Sequence, residues 1–149
     1  MKIGIAADHA GSTYFKILVK EIKSNDYELI DLQNGKIYDD YPDAAEIIAR
    51  GIIEKKIDRG ILICGSGAGV SIAANKFPGV RAAVCHDSYS AHQGVEHDKM
   101  NVLCLGERII GSELAKELTG IFLRASFSGE ERHKRRSDRI YEIEKENLK

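Results

Sequence analysis

Residues 60–74 read GILICGSGAGVSIAA, and this stretch indicates the fold more clearly than any other part of the chain. The run GILIC at 60–64 is apolar throughout, as is typical of a strand covered on both faces of a sheet. The glycine-rich segment after it leads into a helical pattern over VSIAANK at 70–76. A buried strand, a glycine loop and a helix in this order predict one unit of a parallel α/β sheet.

The same alternation extends over the whole chain. Strands are predicted at 2–7, 27–32, 60–64, 80–85 and 101–106, and helices at 12–24, 43–56, 70–76, 88–95, 112–123 and 130–149. With right-handed crossovers this gives an α/β, three-layer Rossmann-like or flavodoxin-like fold: a five-stranded parallel sheet with helices on both faces, plus a C-terminal helix. We expect a single domain over 1–149 and a strand order of 2-1-3-4-5.

Composition narrows the class of protein. A formal net charge of -1 and an apolar share of 43% predict a globular protein with no global attraction to nucleic acid or membrane. The N-terminus enters a strand directly without a signal-like apolar stretch, so a cytoplasmic location is expected. The three cysteines form no CxxC pair and the histidines form no HExxH motif, so we expect neither structural disulfides nor a bound metal.

Two clusters of reactive residues follow strands one and three. Strand one ends in Asp8-His9-Ala10-Gly11 and strand three in Cys64-Gly65-Ser66-Gly67-Ala68-Gly69. In the expected topology these strands are neighbours, and ligands bind in the crevice outside their carboxyl ends. Asp8 has the simpler interpretation of a cap for the turn after its strand. The sequence nevertheless predicts that a carboxylate, an imidazole and a thiol meet at this edge.

The loop CGSGAG at 64–69 is suited to negative charge, because its glycines let several amide N–H groups point into one concavity before a helix N-terminus. Cys64 beside those amides should form a thiolate readily, whereas Cys85 and Cys104 are expected to be small core residues. Val70 stands where a dinucleotide fingerprint needs glycine and where a cysteine phosphatase needs arginine. The residues alone leave a base, a nucleophile and enediolate stabilisation open.

Two further segments carry candidate groups. His97, in VEHDKMN at 95–101, is expected on the same sheet edge, with a pKa near neutrality that suits proton transfer. Arg132 and Arg136 are four residues apart on one helical face and could hold a phosphate together through their planar forks. The simpler interpretations are a solvated histidine and a solvated basic face, and a contact with RNA is the weakest of the alternatives.

Taken together, the motifs resemble one family. DHAG at 8–11, DYPD at 40–43, ILICGSGAGVSIAANKFPGVRAAVC at 61–85, NVLCLGERIIG at 101–111 and RHKRR at 132–136 make the chain similar to type B ribose-5-phosphate isomerases. The resemblance covers nearly the whole chain. It implies an enzyme of the pentose phosphate pathway that interconverts ribose 5-phosphate and ribulose 5-phosphate, without metal or organic cofactor, in the cleft of a homodimer. Two dimers could pair into a homotetramer.

The resemblance also implies roles for individual residues. Cys64 matches the base that moves a proton between C2 and C1, His97 the acid that helps to open the sugar ring, and Asp8 the partner of a sugar hydroxyl. The matching substrate-binding positions are His9, Tyr41, Gly65, Ser66, Gly67, Ala68, Gly69, Asp98, Arg108, Arg132 and Arg136. Some of the phosphate-binding residues are expected to reach across the dimer interface.

One position departs from the family pattern. The family commonly has asparagine directly after the catalytic histidine, and this chain has Asp98. A carboxylate accepts hydrogen bonds but, unlike the asparagine amide, does not donate them. It also places a negative charge beside an anionic sugar, and we expect both differences to affect substrate preference. Two alternatives stand beside this interpretation. One is an isomerase of a six-carbon aldose phosphate, such as allose 6-phosphate. The other is a non-catalytic module that binds phosphate sugars or nucleotides through the glycine loop and the arginines alone, against which the presence of Cys64, His97 and Asp8 argues.

Overall fold

The computed structural model describes residues 1–148 and contains five strands and six α-helices in an α/β arrangement. The strands are β1 (Lys2–Ala7), β2 (Glu28–Leu29), β3 (Arg59–Cys64), β4 (Ala82–Val84) and β5 (Val102–Gly106). The helices are α1 (Ser12–Ser24), α2 (Tyr41–Ile53), α3 (Ala68–Ala74), α4 (Ser88–Asp98), α5 (Ser112–Arg124) and α6 (Glu131–Asn147). The predicted fold class is therefore confirmed. Lys149, the end of the predicted C-terminal helix, lies outside the described residues.

All strand pairs are parallel, and the order in the sheet is β2-β1-β3-β5-β4. The expected order 2-1-3-4-5 is wrong at its far edge, where β4 and β5 exchange places. The five residues of β5 are all buried, which requires neighbours on both sides, whereas the three residues of β4 are partly or largely exposed. The crevice at β1 and β3 is unaffected, because these strands remain neighbours.

Side chains of the sheet alternate between two cores. Ile61 and Ile63 of β3 join the core that contains α1, α4 and α5, whereas Leu62 and Cys64 point to the core that contains α2 and α3. Helices thus cover both faces, and Cys64 emerges on the side where α2 and α3 begin.

The free edge of β4 is closed by a side chain. The Asn75 amide donates from Nδ2 to the carbonyl of Ala82 at 2.8 Å, and its Oδ1 accepts from the amide of Ala82 at 2.9 Å. Asn75 therefore satisfies the backbone groups that a further strand would otherwise pair with. The short strand stays at the edge without a strand partner on its outer side among the described residues.

Candidate active site

A cavity of about 360 Å³ opens at the carboxyl ends of β1 and β3. Its walls combine the predicted acid, imidazole and thiol with an arginine and the glycine loop: Asp8, His9, Ala10, Tyr41, Cys64, Gly65, Ser66, Gly69, Arg108 and Ile109. A larger groove of about 760 Å³ lies between α1 and α5, but the described residues that line it include no thiol or imidazole. The smaller cavity is therefore the candidate active site.

Cys64 is the last residue of β3 and is only 4% exposed. The amide of Gly67 donates a hydrogen bond to its Sγ at 3.1 Å. Gly67 adopts a left-handed backbone conformation, with a φ of 80°, and precedes the first residue of α3. An N–H group directed at a sulfur is the geometry that binds a thiolate, and Cys64 is the thiol that lines this cavity.

The other loop glycines are needed for close approach and not for an unusual conformation. A Cβ on Gly69 would lie 2.8 Å from the ring of Tyr41, and a Cβ on Gly65 would lie 3.3 Å from Nη1 of Arg108. The prediction of a loop in which several glycines aim free amides inward is thus only partly right. The Ala68 amide is also engaged, because it donates to Oγ of Ser66 at 3.2 Å.

Asp8 and His9 reach the cavity from the end of β1. Oδ1 of Asp8 accepts from the amide of Ala10 at 2.9 Å, which is the expected capping role, and Asp8 also lines the cavity. Nδ1 of His9 lies 2.8 Å from the carbonyl oxygen of Asp39 and donates to it. This bond leaves Nε2 of His9 to interact with a ligand.

The loop after β5 packs directly on the glycine loop. The amide of Glu107 donates to the carbonyl of Cys64 at 2.9 Å, and the amide of Arg108 donates to the carbonyl of Gly65 at 3.0 Å. A Cβ on Gly106 would lie 2.7 Å from the backbone of Ser66. This contact holds Arg108 beside the glycine loop, at the wall of the cavity that Cys64 also lines.

His97 and Asp98 are not in this cavity, and the expectation that His97 shares the sheet edge of Cys64 is wrong for a single chain. Both residues end α4, just before β5 begins at Val102, whereas Cys64 pairs with Gly106 at the other end of β5. At about 3.3 Å per residue, β5 separates these two edges by about 13 Å. The cause is the parallel sheet: a residue before a strand and a residue after one lie at opposite edges.

Arg132 and Arg136 lie with His97 in a second cluster. They are exposed on α6, which packs against α4. Between them in the sequence, His133 stacks on His97 with ring centroids 3.8 Å apart. We call these residues, with Asp98, the distal cluster. It gathers the predicted site residues His97, Asp98, Arg132 and Arg136, whereas Gly67 and Ala68 lie in the glycine loop beside the cavity.

A comparison with protein families identifies the chain. The Ribose/Galactose Isomerase family model matches residues 3–140. This chain belongs to that family. The family prediction from the motifs is confirmed, and the distal cluster and the cavity are two parts of a ribose/galactose isomerase.

Two solved structures and one further relative known by its sequence agree with the assignment. Ribose-5-phosphate isomerase B of Clostridium thermocellum is 45% identical, with a TM-score of 0.91 over 98% of this chain and 99% of that one. Ribose-5-phosphate isomerase B of Mycoplasma genitalium, solved with bound ribulose-5-phosphate, is 40% identical, with a TM-score of 0.90 over 98% and 97%. A D-erythrulose-4-phosphate isomerase 2 of Mycolicibacterium smegmatis is 40% identical over 85% of this chain and 86% of its own length.

Sequence reasoning missed His86. It follows β4, and its Nε2 accepts the amide of Gly106 at 3.0 Å, at the point where the two loops of this isomerase meet. Burial lowers the pKa of His86, which keeps Nε2 available as an acceptor. Its position after a strand at the carboxyl edge of the sheet is a signal that could have identified it.

The remaining two cysteines are core residues, as the sequence predicts. Cys85 and Cys104 are buried, and Cys104 is fully inaccessible. Burial raises the pKa of Cys85 to about 11 and also raises the pKa of Cys104 above the usual range of a thiol. Both therefore remain protonated at neutral pH, in a setting unlike that of Cys64.

Residues 1–148 contain no group of three or more His, Cys, Asp or Glu side chains placed to hold a metal ion. None of the helices within those residues has the length and apolar character needed to cross a bilayer.

Proposed function

We propose that this chain interconverts ribose 5-phosphate and ribulose 5-phosphate through an enediolate, with the Cys64 thiolate as the base. The observation that carries the proposal is the Sγ of Cys64, which accepts the Gly67 amide beside a cavity that Asp8 and Arg108 also line. A thiolate held by an amide suits repeated proton transfer, and the preorganised loop suits the negative charge that develops on the sugar oxygens.

The reaction needs one base that moves the carbon-bound proton from C2 to C1 and one path by which a proton passes from O2 to O1. Cys64 removes the proton from C2 of the open-chain aldose, and the electron pair moves to give the enediolate. The proton on O2 transfers to O1, and the Cys64 thiol returns a proton to C1. Asp8 is buried at the cavity wall and accepts hydrogen bonds, which suits contact with a sugar hydroxyl.

We propose further that the working site forms in a homodimer. The acid His97 lies at the opposite sheet edge from Cys64 in one chain, so a second copy supplies it. A two-fold axis places the distal cluster of one subunit beside the cavity of the other when the two copies run in opposite directions. Large exposed apolar side chains provide a surface for this contact: Ile72 on α3, Val84 on the edge strand, and Ile140 and Ile143 on α6.

In this dimer the phosphate is held from both sides. His9 and Arg108 approach it from the cavity, and the exposed guanidinium groups of Arg132 and Arg136 approach it from the other subunit. Planar guanidinium forks match phosphate oxygens in pairs, so two of them one helical turn apart form a strong anchor. Asp98 then lies next to the acid His97, where its carboxylate accepts bonds from sugar hydroxyls.

A second candidate substrate is D-erythrulose 4-phosphate, because a relative of that name is 40% identical to this chain. The same enediolate chemistry operates on a sugar phosphate that is one carbon shorter. The test is the kcat/KM of the purified protein for ribose 5-phosphate, D-erythrulose 4-phosphate and allose 6-phosphate. We expect the five-carbon sugar to be the best substrate, and a higher kcat/KM for either of the others would overturn the assignment.

The shared site has its own test by mixing variants. Cys64→Ala and His97→Ala should each be nearly inactive as homodimers. In a heterodimer both changes fall in one site and the other site is intact, so co-expressed subunits that pair at random should recover about a quarter of wild-type activity. Mixing Cys64→Ala with Asp8→Ala is the control. Each subunit then carries one change in its own cavity, so every site in the mixture is damaged and no activity returns. No recovery in the first mixture would contradict the shared site.

A further inference from the structure

We propose that His133 is a positioning residue for the acid His97: its buried ring stacks on the His97 imidazole and fixes the ring that donates a proton to the sugar. This inference rests on the proposed acid role of His97. His133 belongs to the segment RHKRR at 132–136 and lies in the sequence between Arg132 and Arg136. Its side chain is buried, whereas the two arginines are exposed.

The stack is well defined by geometry and burial. The two ring centroids are 3.8 Å apart and the ring planes differ by 14°. His133 is 3% exposed, whereas His97 is half-buried and presents its outer face to the surface. The inner ring therefore forms a flat support, and His97 is the member of the pair that can reach a substrate.

A second contact selects the reactive nitrogen of His97. Nε2 of Gln93, one turn earlier on α4, lies 3.0 Å from Nδ1 of His97. With Nδ1 engaged on one side and the ring face covered by His133, Nε2 of His97 is the nitrogen left for proton transfer. The stack and the amide together hold the ring in one plane and one direction.

Burial and the charges around His133 favour its neutral form. Burial, the neighbouring His97, Arg132 and Arg136 all lower the pKa of His133, and only Glu130, whose Oε2 lies 3.9 Å from its Nε2, acts in the opposite direction. Nε2 of His133 is buried and has no hydrogen-bond partner among residues 1–148. His133 thus favours its neutral form, and its ring supports the His97 imidazole without placing a second positive charge against it.

The two helices that carry the rings are joined by Arg81. Its Nη1 donates to the carbonyl of Asp98 at 2.9 Å and to Oγ of Ser137 at 2.7 Å, and its Nη2 donates to the carbonyl of Ser137 at 3.1 Å. These bonds tie the end of α4 to the middle of α6. The spacing of the stacked rings is therefore set by the fold and not by the two side chains alone.

The test compares His133→Ala with His133→Phe in the full-length enzyme. His133→Ala removes the support, and we expect kcat to fall between tenfold and a hundredfold, the effect of a misplaced catalytic group, with little change in KM. His133→Phe keeps a flat neutral ring and should stay within about threefold of wild type. His92→Ala is the control, because His92 is exposed on α4 and pairs only with Glu96. Wild-type kcat in His133→Ala, or equal loss in His133→Phe, would overturn the role.

A measurement on the wild-type protein keeps the proposal testable if a variant fails to fold. NMR titration of the histidine rings should show that His133 gains its proton below the ordinary range of a histidine, and a His133 ring that gains its proton within that range would contradict the buried stack. The proposed function fails in a different way: either His97→Ala retains activity, or the wild type turns over no sugar phosphate. In both cases the titration of His133 still tests whether its ring is buried against His97.

Discussion

The replacement Gly67→Ala separates the catalytic use of the glycine loop from its structural use, because the chain contains a matched position. Gly67 and Gly79 have nearly identical backbone conformations, with φ values of 80° and 81°. A Cβ on Gly79 would meet nothing within 4 Å, whereas a Cβ on Gly67 would lie 3.1 Å from the backbone of Leu105. The amide of Gly67 bonds to the Cys64 sulfur, whereas the amide of Gly79 bonds to the Glu144 carboxylate.

The conformational cost should be the same at both sites. An L-residue in the left-handed region costs about 1–2 kcal/mol, so both variants should lose about that much stability in urea unfolding. The contact with β5 in Gly67→Ala is absorbed by a shift of the loop, which moves the amide away from the sulfur. Loss of a hydrogen bond to a charged group costs about 1.5–3 kcal/mol, which corresponds to roughly a ten- to hundredfold fall in kcat/KM.

The assay is the steady-state conversion of ribose 5-phosphate by both variants under conditions where each is folded. We expect Gly79→Ala to retain wild-type kcat/KM and Gly67→Ala to lose it. If the two variants lose stability equally and Gly67→Ala keeps full activity, the amide does not support the thiolate and the reasoning is refuted. A loss of activity in Gly79→Ala would show that the effect is not specific to the loop.

Asn75, Cys64 and His86 each allow a further test. Asn75→Ala removes both side-chain bonds at the sheet edge and should cost about 1 kcal/mol in urea unfolding and increase self-association, measured by light scattering; unchanged behaviour would contradict the capping role. Iodoacetamide at pH 8 should modify Cys64 and leave Cys85 and Cys104 unmodified until urea is added, as mapped by mass spectrometry; modification of Cys85 first would contradict the assignment. Burial lowers the pKa of His86 in the folded chain. As the pH falls below about 6.5, the unfolded chain therefore takes up a proton on His86 before the folded chain does, and acidification reduces the stability of the fold. The loss between pH 7.5 and pH 5.5 should be smaller in His86→Gln, and an equal loss would rule this group out.

Much of the candidate site could be predicted because topology alone brings it together. Strands β1 and β3 are recognisable as apolar runs, and the segments after them meet at one edge in any doubly wound sheet that keeps these strands adjacent. Asp8, His9 and Cys64 were therefore correctly placed together. The helix at 12–24 was also predicted with its observed limits.

The order of the last two strands could not be predicted in the same way. VRAAVC at 80–85 and NVLCLG at 101–106 are both short and apolar, and only their burial in the folded chain shows that the second is central. The contact of Tyr41 with Gly69 joins residues distant in sequence and is visible only in three dimensions.

The position of His97 was predictable, and the prediction was wrong for a physical reason that the sequence already contains. His97 precedes β5 and Cys64 follows β3, so a parallel sheet places them at opposite edges. Helix α4 also extends to Asp98, beyond the predicted end at Val95, because the backbone turns only at Lys99, with a φ of 55°. The separation of the two clusters is what leads to the proposed dimer.

The most direct test of the central claim is the conversion of ribose 5-phosphate in deuterated water by wild type, Cys64→Ala and the core control Cys85→Ala. If Cys64 is the base, wild type and Cys85→Ala form ribulose 5-phosphate that carries solvent deuterium at C1, and Cys64→Ala forms no product. Product formation by Cys64→Ala at the wild-type rate would contradict the claim that this thiol moves the proton.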